Sequence, residues 1–540
     1  MPLKRPSQHL PSASRVDSTA PHSAWVGYGL ALLLGLASVW LTMGSPLALL
    51  RGSLMIDTDY PNAAAAFELF IRDGWRWPLG ANPDFGGVNL FFSDGAPWFA
   101  LLAKAWHGLT GVTVPLHALV LVNMLLWPMM AWRLASRLHS STTLRWLVVG
   151  LLTFNLIMLV RIIGAQHIAL GSWWVVLWAM CAVPVAGETT TRWRRWEFLP
   201  ALAVAVWSHA YLGAMAALII LVCLLVARRW VAAGVVLLWP LLLLYVIGAL
   251  QVSSTPMGGA KAYALDLGAF TKSLGWGISG NLYDILEPTQ GDALVYLGTG
   301  AWLLLLACGG CALAFRRLAG EALLVDGVAQ RRWWCLLVAA LALTAFAMSF
   351  DLRLAGHVLL RLEIPSLVRP LYESFRVTGR FAAPLALLLV VLAALWWGSW
   401  QRRLPAGLWW GVTLVAVTLQ VADARHAGRL SPPADWQAGA AEQQASLNAV
   451  LEGQPWSGRV FKNVSFTELE EHRLLDYLLV QQGAREIRVA HGARLDPAEV
   501  ASRSGYADAR RGDVVILRDD AEGPACRHEG NVKHFRVCLL

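Results

Sequence analysis

Asp57 and Asp59, in the stretch Ile56-Asp57-Thr58-Asp59-Tyr60-Pro61, follow a long apolar run directly. A carboxylate held there by the end of a helix sits close to a membrane surface. It can accept a proton from a hydroxyl, position that hydroxyl, or bind a divalent cation such as Mg or Mn. Two acids at i, i+2 share a face if the backbone is extended, but diverge by about 200° if a helix runs through them. The spacing therefore leaves open which acid acts and whether they act together.

Three further groups could do chemistry. Asp84, in a Gly/Pro/Asn-rich turn, and Asp94, in Phe91-Phe92-Ser93-Asp94-Gly95, share a strongly aromatic loop with the first pair. Both have the composition of turn formers, and the aromatic rings suit anchorage at the headgroup level as well as stacking on a sugar. Arg161, His167 and His209, the last near Tyr211, sit at the ends of apolar runs, where an ionisable group is costly unless it is paired, snorkels or faces a polar cavity. Arg369, Glu373, Arg376 and Arg380 lie in RPLYESFRVTGRF. If that stretch is helical, they share a face at i, i+3 and i, i+4 spacing. Guanidinium groups above a bilayer suit a phosphate or pyrophosphate, and an Arg–Glu brace between helices is the plainer use. Tyr283 is available to line a donor or acceptor site from a second loop.

These residues must be positioned by membrane helices. The 540-residue chain is 57% hydrophobic and only 15% charged, with mean hydropathy +0.51, which excludes one large soluble enzyme. Its apolar runs approach the roughly 20 residues needed to cross the hydrocarbon. The formal charge of +9 falls largely in short arginine clusters between those runs, as the positive-inside bias requires. Spans are expected near 24–48, 112–132, 146–162, 168–187, 199–227, 231–250, 296–315, 333–349, 379–399 and 406–424. The run 199–227 has arginines at both ends, so the charge rule asks for two short helices turning near Trp207-Ser208-His209. That makes about eleven transmembrane helices, with residues 1–23 as a cytoplasmic tail.

External loops are expected at 49–95, 251–295 and 350–378. Residues 425–540 follow a polar linker at Asp423–His426 and read as a small extracytoplasmic α/β domain, with FTELEEHRLLDYLLVQQG as an amphipathic helix. Five of the seven cysteines lie in or beside apolar runs, as small apolar side chains do. Cys526 and Cys538 are the tail pair and could form a disulfide in an oxidising compartment. No spaced Cys/His set completes a metal site, no phosphate loop supplies an ATP-driven engine, and no basic-aromatic pattern indicates nucleic acid.

The order DTDY, WRWPLGANPDFG, FFSDGAP, RIIGAQHIAL, WSHAYL, VYLGTG and FRVTGRF resembles an uncharacterised bacterial family of polytopic proteins with a glycosyltransferase C-type membrane core, over residues 20–424. The resemblance implies a donor sugar linked to polyprenyl phosphate and a glycan, lipid or protein acceptor. It further implies Asp57 or Asp59 at the acceptor hydroxyl, and Arg376 or Arg380 on the phosphate. A DTD in place of a consecutive acidic pair departs from direct metal coordination. The location it implies is a bacterial inner membrane, with the N-terminus cytoplasmic and the tail periplasmic. A flippase for a lipid-linked sugar or other amphiphile is the rival reading, since it also uses broken helices and phosphate-binding arginines.

Overall fold

The computed structural model describes residues 21–50, 59–164, 166–185, 188, 194–252, 260–279, 293–314, 327–430, 434–451, 460–463, 469–488, 509–518, 523–532 and 535–540. Helices α1 (Pro21–Met43) and α2 (Pro46–Leu50) precede the first loop, which holds α3 (Tyr60–Arg72) and leads into α4 (Pro97–Thr110). The core continues through α5 (Ala118–Leu138), α6 (Thr142–Thr153), α7 (Leu156–Ile163), α8 (Trp174–Ala182), α9 (Phe198–Ser208), α10 (Ala210–Val226), α11 (Trp230–Ile247), α12 (Thr299–Ala314) and α13 (Gly327–Ala347). A hairpin of β1 (Asp351–Leu354) and β2 (His357–Arg361) then leads to α14 (Arg369–Glu373), α15 (Ala383–Ser399) and α16 (Ala406–Arg429).

Among the described residues six segments are long and apolar enough to cross a membrane: Trp25–Met43, Ala118–Leu138, Thr142–Ile163, Trp230–Ile247, Thr378–Ser399 and Ala406–Arg429. The count by length is lower than the eleven expected because several apolar runs are cut short. Asn155 breaks a run, although Thr142–Ile163 as a whole remains one of the six segments. The Asn155 side chain accepts from Ile157 N–H at 2.9 Å and donates to the Leu297 carbonyl at 3.0 Å, ending α6 and starting α7. His209 cuts another, capping α10 by accepting from Tyr211 N–H at 3.2 Å, so that α9 and α10 are separate helices. The segment expected as a crossing at 168–187 contains only the nine residues of α8, because the chain before it is a loop.

Buried Asn123 on α5 holds that loop. Its amide donates to the Ile168 carbonyl at 3.1 Å, and its oxygen accepts from Ser172 Oγ and Trp174 Nε1, each at 2.9 Å. A buried polar group satisfied this fully fixes the loop without a desolvation cost left over.

At the far end of α5, Arg133 pairs with Glu197 at 2.7 Å, Arg137 pairs with Glu188, and Arg332 pairs with Glu188 at 2.6 Å. These arginines of the sequence's basic clusters thus tie α5 and α13 to the connection between α8 and α9. Elsewhere α12 and α16 approach so closely that a Cβ on Gly300 would lie 2.0 Å from the Ala416 carbonyl.

The expected linker at Asp423–His426 is instead the last turns of α16. Asp423 is fully buried and caps α12 from outside it, accepting from Thr299 N–H at 2.6 Å and Thr299 Oγ1 at 2.9 Å, and it also holds Ile278 N–H at 2.9 Å. An acidic residue in a polar run looks solvated in sequence, whereas here it satisfies a helix N-terminus.

Beyond α16 stand α17 (Ala434–Leu451), β3 (Val460–Asn463), α18 (Leu469–Gln481), β4 (Glu486–Ile487), β5 (Val514–Arg518), β6 (His528–Val532) and β7 (Phe535–Leu539). The sheet order is β4-β3-β5-β7-β6, parallel across the first three strands and antiparallel across the last three. A disulfide joins Cys526 to Cys538.

Helix α3 is buried on two faces, and its sequence shows how. Ala63, Ala64, Phe67, Phe70 and Ile71 pack into the membrane core. Ala65, Ala66 and Leu69 pack with Leu475, Leu478 and Leu479 of α18. The run of four alanines lets both partners approach the helix closely.

Candidate functional site

Asp59 occupies the N-cap position of α3, but its side chain makes no capping bond. The carboxylate is therefore available to other partners. Its Oδ2 lies 2.9 Å from His167 Nε2, and its Oδ1 accepts from Arg473 on α18 at 2.6 Å. The other ring nitrogen, His167 Nδ1, faces Asp94 Oδ2 at 3.4 Å. Asp94 Oδ1 is buried and 3.6 Å from His209 Nε2, beyond a full hydrogen bond. Because His209 Nδ1 accepts from Tyr211 N–H, the proton of the neutral ring lies on Nε2, facing Asp94.

The backbone is strained at both hinges of this chain of contacts. Asp94 has φ +57° and Gln166 has φ +49°, conformations that cost a side-chain-bearing residue about 1–3 kcal/mol. Asp94 tolerates this as an acidic turn residue. Gln166 is held by the loop that Asn123 organises, and His167 N–H donates to the Arg161 carbonyl at 3.0 Å.

The electrostatics follow from these contacts. Burial alone would raise the Asp59 carboxyl, but the hydrogen bond and charge of His167, then the charges of Arg473 and Arg380, bring it down to about 2. Burial alone would lower His167, but the hydrogen bonds and charges of Asp59 and Asp94 lift it to about 9. Asp94 is likewise held below its usual value: burial opposes this, and His167 and His209 outweigh burial. At neutral pH the arrangement is an imidazolium between two carboxylates. Those carboxylates face opposite edges of one ring rather than converging on a point, and among the described residues no three His, Cys, Asp or Glu side chains could share a metal ion. A cation bridging Asp59 and Asp94 does not fit this geometry.

Arg380 adds a further positive charge within reach of Asp59. It is buried in a short 3₁₀ turn, Thr378–Ala382, with its guanidinium 5.1 Å from the Tyr211 ring centre. Tyr211 is itself fixed, its hydroxyl accepting from Val377 N–H at 2.7 Å and its ring stacking 5.3 Å from His209.

The structure thus gathers Asp59, Asp94, His167, His209 and Arg380. Asp57 and Tyr283 lie outside the described residues. Arg161 is buried in α7 and contributes its carbonyl to the His167 loop.

Four of the sequence candidates lie elsewhere. Asp84 sits at the seam with the C-terminal sheet: its carbonyl accepts from Ile487 N–H at 2.7 Å, beside the parallel bridge of Phe85 to Ile487. Burial and the charges of Asp73 and Glu486 raise its carboxyl. The continuous face expected for Arg369, Glu373, Arg376 and Arg380 does not form, because α14 ends at Glu373 and the backbone resumes as a separate turn at Thr378. Arg369 is exposed and Glu373 half-buried on α14. Arg376 is exposed and engages Tyr263, donating to its hydroxyl at 2.6 Å.

Sequence reasoning missed Arg473, Tyr60 and His117. The Tyr60 hydroxyl lies 2.7 Å from His117 Nδ1, and Tyr477 packs edge-on at 5.9 Å from Tyr60. A signal was present: Arg473 and Tyr477 are i, i+4 on the amphipathic helix of the tail.

A family model for a domain of unknown function (DUF6311) matches residues 31–425. No curated protein matches the sequence. Two solved structures of ArnT from Cupriavidus metallidurans are similar to the chain. The one in the apo state is 13% identical, with TM-score 0.47, covering 96% of this chain and 98% of its own. The one bound to undecaprenyl phosphate is 12% identical, with the same TM-score of 0.47 and the same coverage of 96% and 98%.

Proposed function

The chain belongs to the DUF6311 family, and we propose that it is a membrane glycosyltransferase using a polyprenyl-phosphate-linked sugar, with Asp59 at the acceptor hydroxyl. The observation that carries this reading is an ionised, one-third exposed carboxylate within the electrostatic reach of a buried guanidinium, that of Arg380. In the proposed reaction the acceptor oxygen bonds to the anomeric carbon as the bond from that carbon to the phosphate oxygen breaks. Asp59 accepts the hydroxyl's hydrogen bond, and then its proton as the new bond forms. Held at about 2, the carboxyl is a weak base, so its first contribution is orientation, and proton transfer comes late. The departing phosphate gains charge, and Arg380 is the cation that meets it.

A groove supports a lipid-linked donor. It has a volume of about 550 Å³ beside the β1–β2 hairpin and is lined by Ala345, Phe346, Met348, Leu352, Leu360 and Leu362. From it the aromatic contacts lead inward: Phe346 lies 4.9 Å from Phe381, and Phe381 lies 5.5 Å from Tyr211, over which Arg380 sits. A prenyl chain in this groove with its head group inward would bring its phosphate to Arg380. We assign the site to the periplasmic face of a bacterial inner membrane on the arginine bias and the disulfide in the tail.

The test is mass-spectrometric detection of sugar transfer by purified, lipid-reconstituted protein offered a panel of polyprenyl-phosphate sugars, with Asp59→Asn alongside. The expected result is a new glycan that depends on Asp59. Unimpaired turnover by Asp59→Asn refutes the role of that residue. Intact donor recovered from the opposite leaflet, with no product from an acceptor panel of verified coverage, refutes transfer in favour of lipid-linked sugar flipping.

A further inference from the structure

We propose that the C-terminal module is part of the reaction site, with Arg473 as the positioning residue that fixes the plane of the Asp59 carboxylate. The proposal rests on the reading of Asp59 given above and adds a role for the module, which that reading leaves without one.

Three observations combine. First, Asp59 makes no capping bond to its own helix, so nothing within the first loop's described residues sets its carboxylate plane. Its two oxygens are instead assigned one each, Oδ2 to His167 and Oδ1 to Arg473. With only one of these contacts the carboxylate can turn about its Cβ–Cγ bond, whose torsional preference is broad. With both, its plane is fixed.

Second, α18 is docked firmly enough to deliver a side chain to a fixed point. Tyr477 packs on Tyr60, Arg72 donates to the Val480 carbonyl at 3.2 Å, and Gln481 donates to Glu68. Leu475, Leu478 and Leu479 bury against the alanine face of α3. Third, the same loop makes a second attachment to the module. Gly86 N–H donates to the Ile487 carbonyl at 2.6 Å and Ile487 N–H to Asp84 at 2.7 Å, adding the first loop to the edge of the sheet. Two attachments on one loop restrain rotation of the module about either. This is the rigidity a site needs when a displacement of about 1 Å is costly.

The charged groups around Asp59 come from three directions: His167 from the α7–α8 loop, Arg473 from α18 and Arg380 from the turn before α15. Asp94 stands behind His167. Loss of Arg473 leaves His167 and Arg380 in place, so Asp59 stays acidic but loses part of its stabilisation and one of its two orienting contacts. The expected signature is a fall in kcat with little change in donor KM, because the donor phosphate is met at Arg380.

The experiment uses full-length protein in lipid with Arg473→Met, Arg473→Lys and Gln481→Ala. Gln481 lies on the docking seam, and its substitution leaves Arg473 present. Carbodiimide coupling of an amine to Asp59, followed by peptide mass spectrometry between pH 4 and 7, reports protonation and access without any sugar donor. Hydrogen exchange in α3 and α18 reports docking. In Arg473→Met, labelling of Asp59 is expected to rise severalfold, because the carboxyl loses one of the charges that hold it down and one of its two contacts. Docking should be kept, Arg473→Lys should restore the wild-type rate, and Gln481→Ala should match wild type. Where transfer is measured, Arg473→Met should lower kcat about 10- to 100-fold, equivalent to one or two decades of barrier.

Unchanged labelling with the module docked overturns the proposal. So does a rise that Gln481→Ala reproduces in proportion to undocking, since that assigns the effect to docking alone. Increased labelling in a protein that transfers no sugar supports the positioning role and refutes the proposed reaction, so the two failures are separable.

Discussion

Replacing His167 with glutamine removes the cation between Asp59 and Asp94 while keeping a donor of similar reach. Its ring nitrogens lie 2.9 Å from Asp59 and 3.4 Å from Asp94, and these carboxylates lift its pKa from 6.5 to about 9. At 1.36 kcal/mol per unit this rise is worth about 3 kcal/mol, which partial solvent exposure and the glutamine's own hydrogen bond reduce to about 2.

The sign follows from linkage. A group raised in the folded state contributes fully below its unfolded value near 6.5, and that contribution is lost as the pH rises through about 9. The wild type should therefore exceed His167→Gln by about 2 kcal/mol at pH 6, with a gap near zero by about pH 10. For a chain of this length, unfolding entropy near 2.1 cal/mol/K per residue converts 2 kcal/mol into about 2 °C of Tm. Intrinsic fluorescence in detergent suits the measurement because the chain carries 28 tryptophans. Other groups that titrate between pH 6 and 10 largely cancel in the difference between the two proteins. A gap that is flat across this range, or that widens toward pH 10, refutes the imidazolium between two carboxylates.

Arg380 and Arg376 should separate although they stand four residues apart. Losing one charge-assisted contact to a phosphate costs about 1.5–3 kcal/mol, so Arg380→Ala should raise donor KM or lower kcat/KM roughly 10- to 100-fold, while Arg376→Ala changes it only a few-fold; equal effects in a full donor titration count against the assignment. Tyr211→Phe keeps the ring beneath Arg380 but strips the Val377 N–H of its acceptor, an orphaned buried donor worth about 1–3 kcal/mol. Its expected result is a lowered Tm with donor KM within about threefold of wild type, since a lost hydrogen bond at this site is structural rather than a substrate contact; a large KM change at unaltered Tm contradicts that role.

Several parts of this site were legible from chain order because they depend on local chemistry. Arginines at both ends of one apolar run required two helices there, and the break stands at His209, where a side chain caps the second helix. Costly ionisable groups beside apolar runs pointed to His167 and His209, whose burial demands partners. The amphipathic pattern of the tail identified α18, and the two cysteines of the tail are joined.

What chain order alone left open was pairing. Asp94 has the composition of a turn former and is one, but its left-handed backbone aims the carboxylate between two histidines 73 and 115 positions along the chain. The choice between Arg376 and Arg380 is a matter of which ring each guanidinium meets, Tyr263 or Tyr211, and a break in the helix between them removes the periodicity that would have linked them. Asp423 looked like a solvated linker until packing brought the N-terminus of α12 to it. Arg473 stands 414 residues from Asp59. Residue type and local spacing determine which groups need a partner, because desolvation, capping and helix periodicity act within a few residues. The identity of a distant partner is decided only when the tertiary fold closes the loop between them, and in this protein that closure is the docking of α18 on the alanine face of α3.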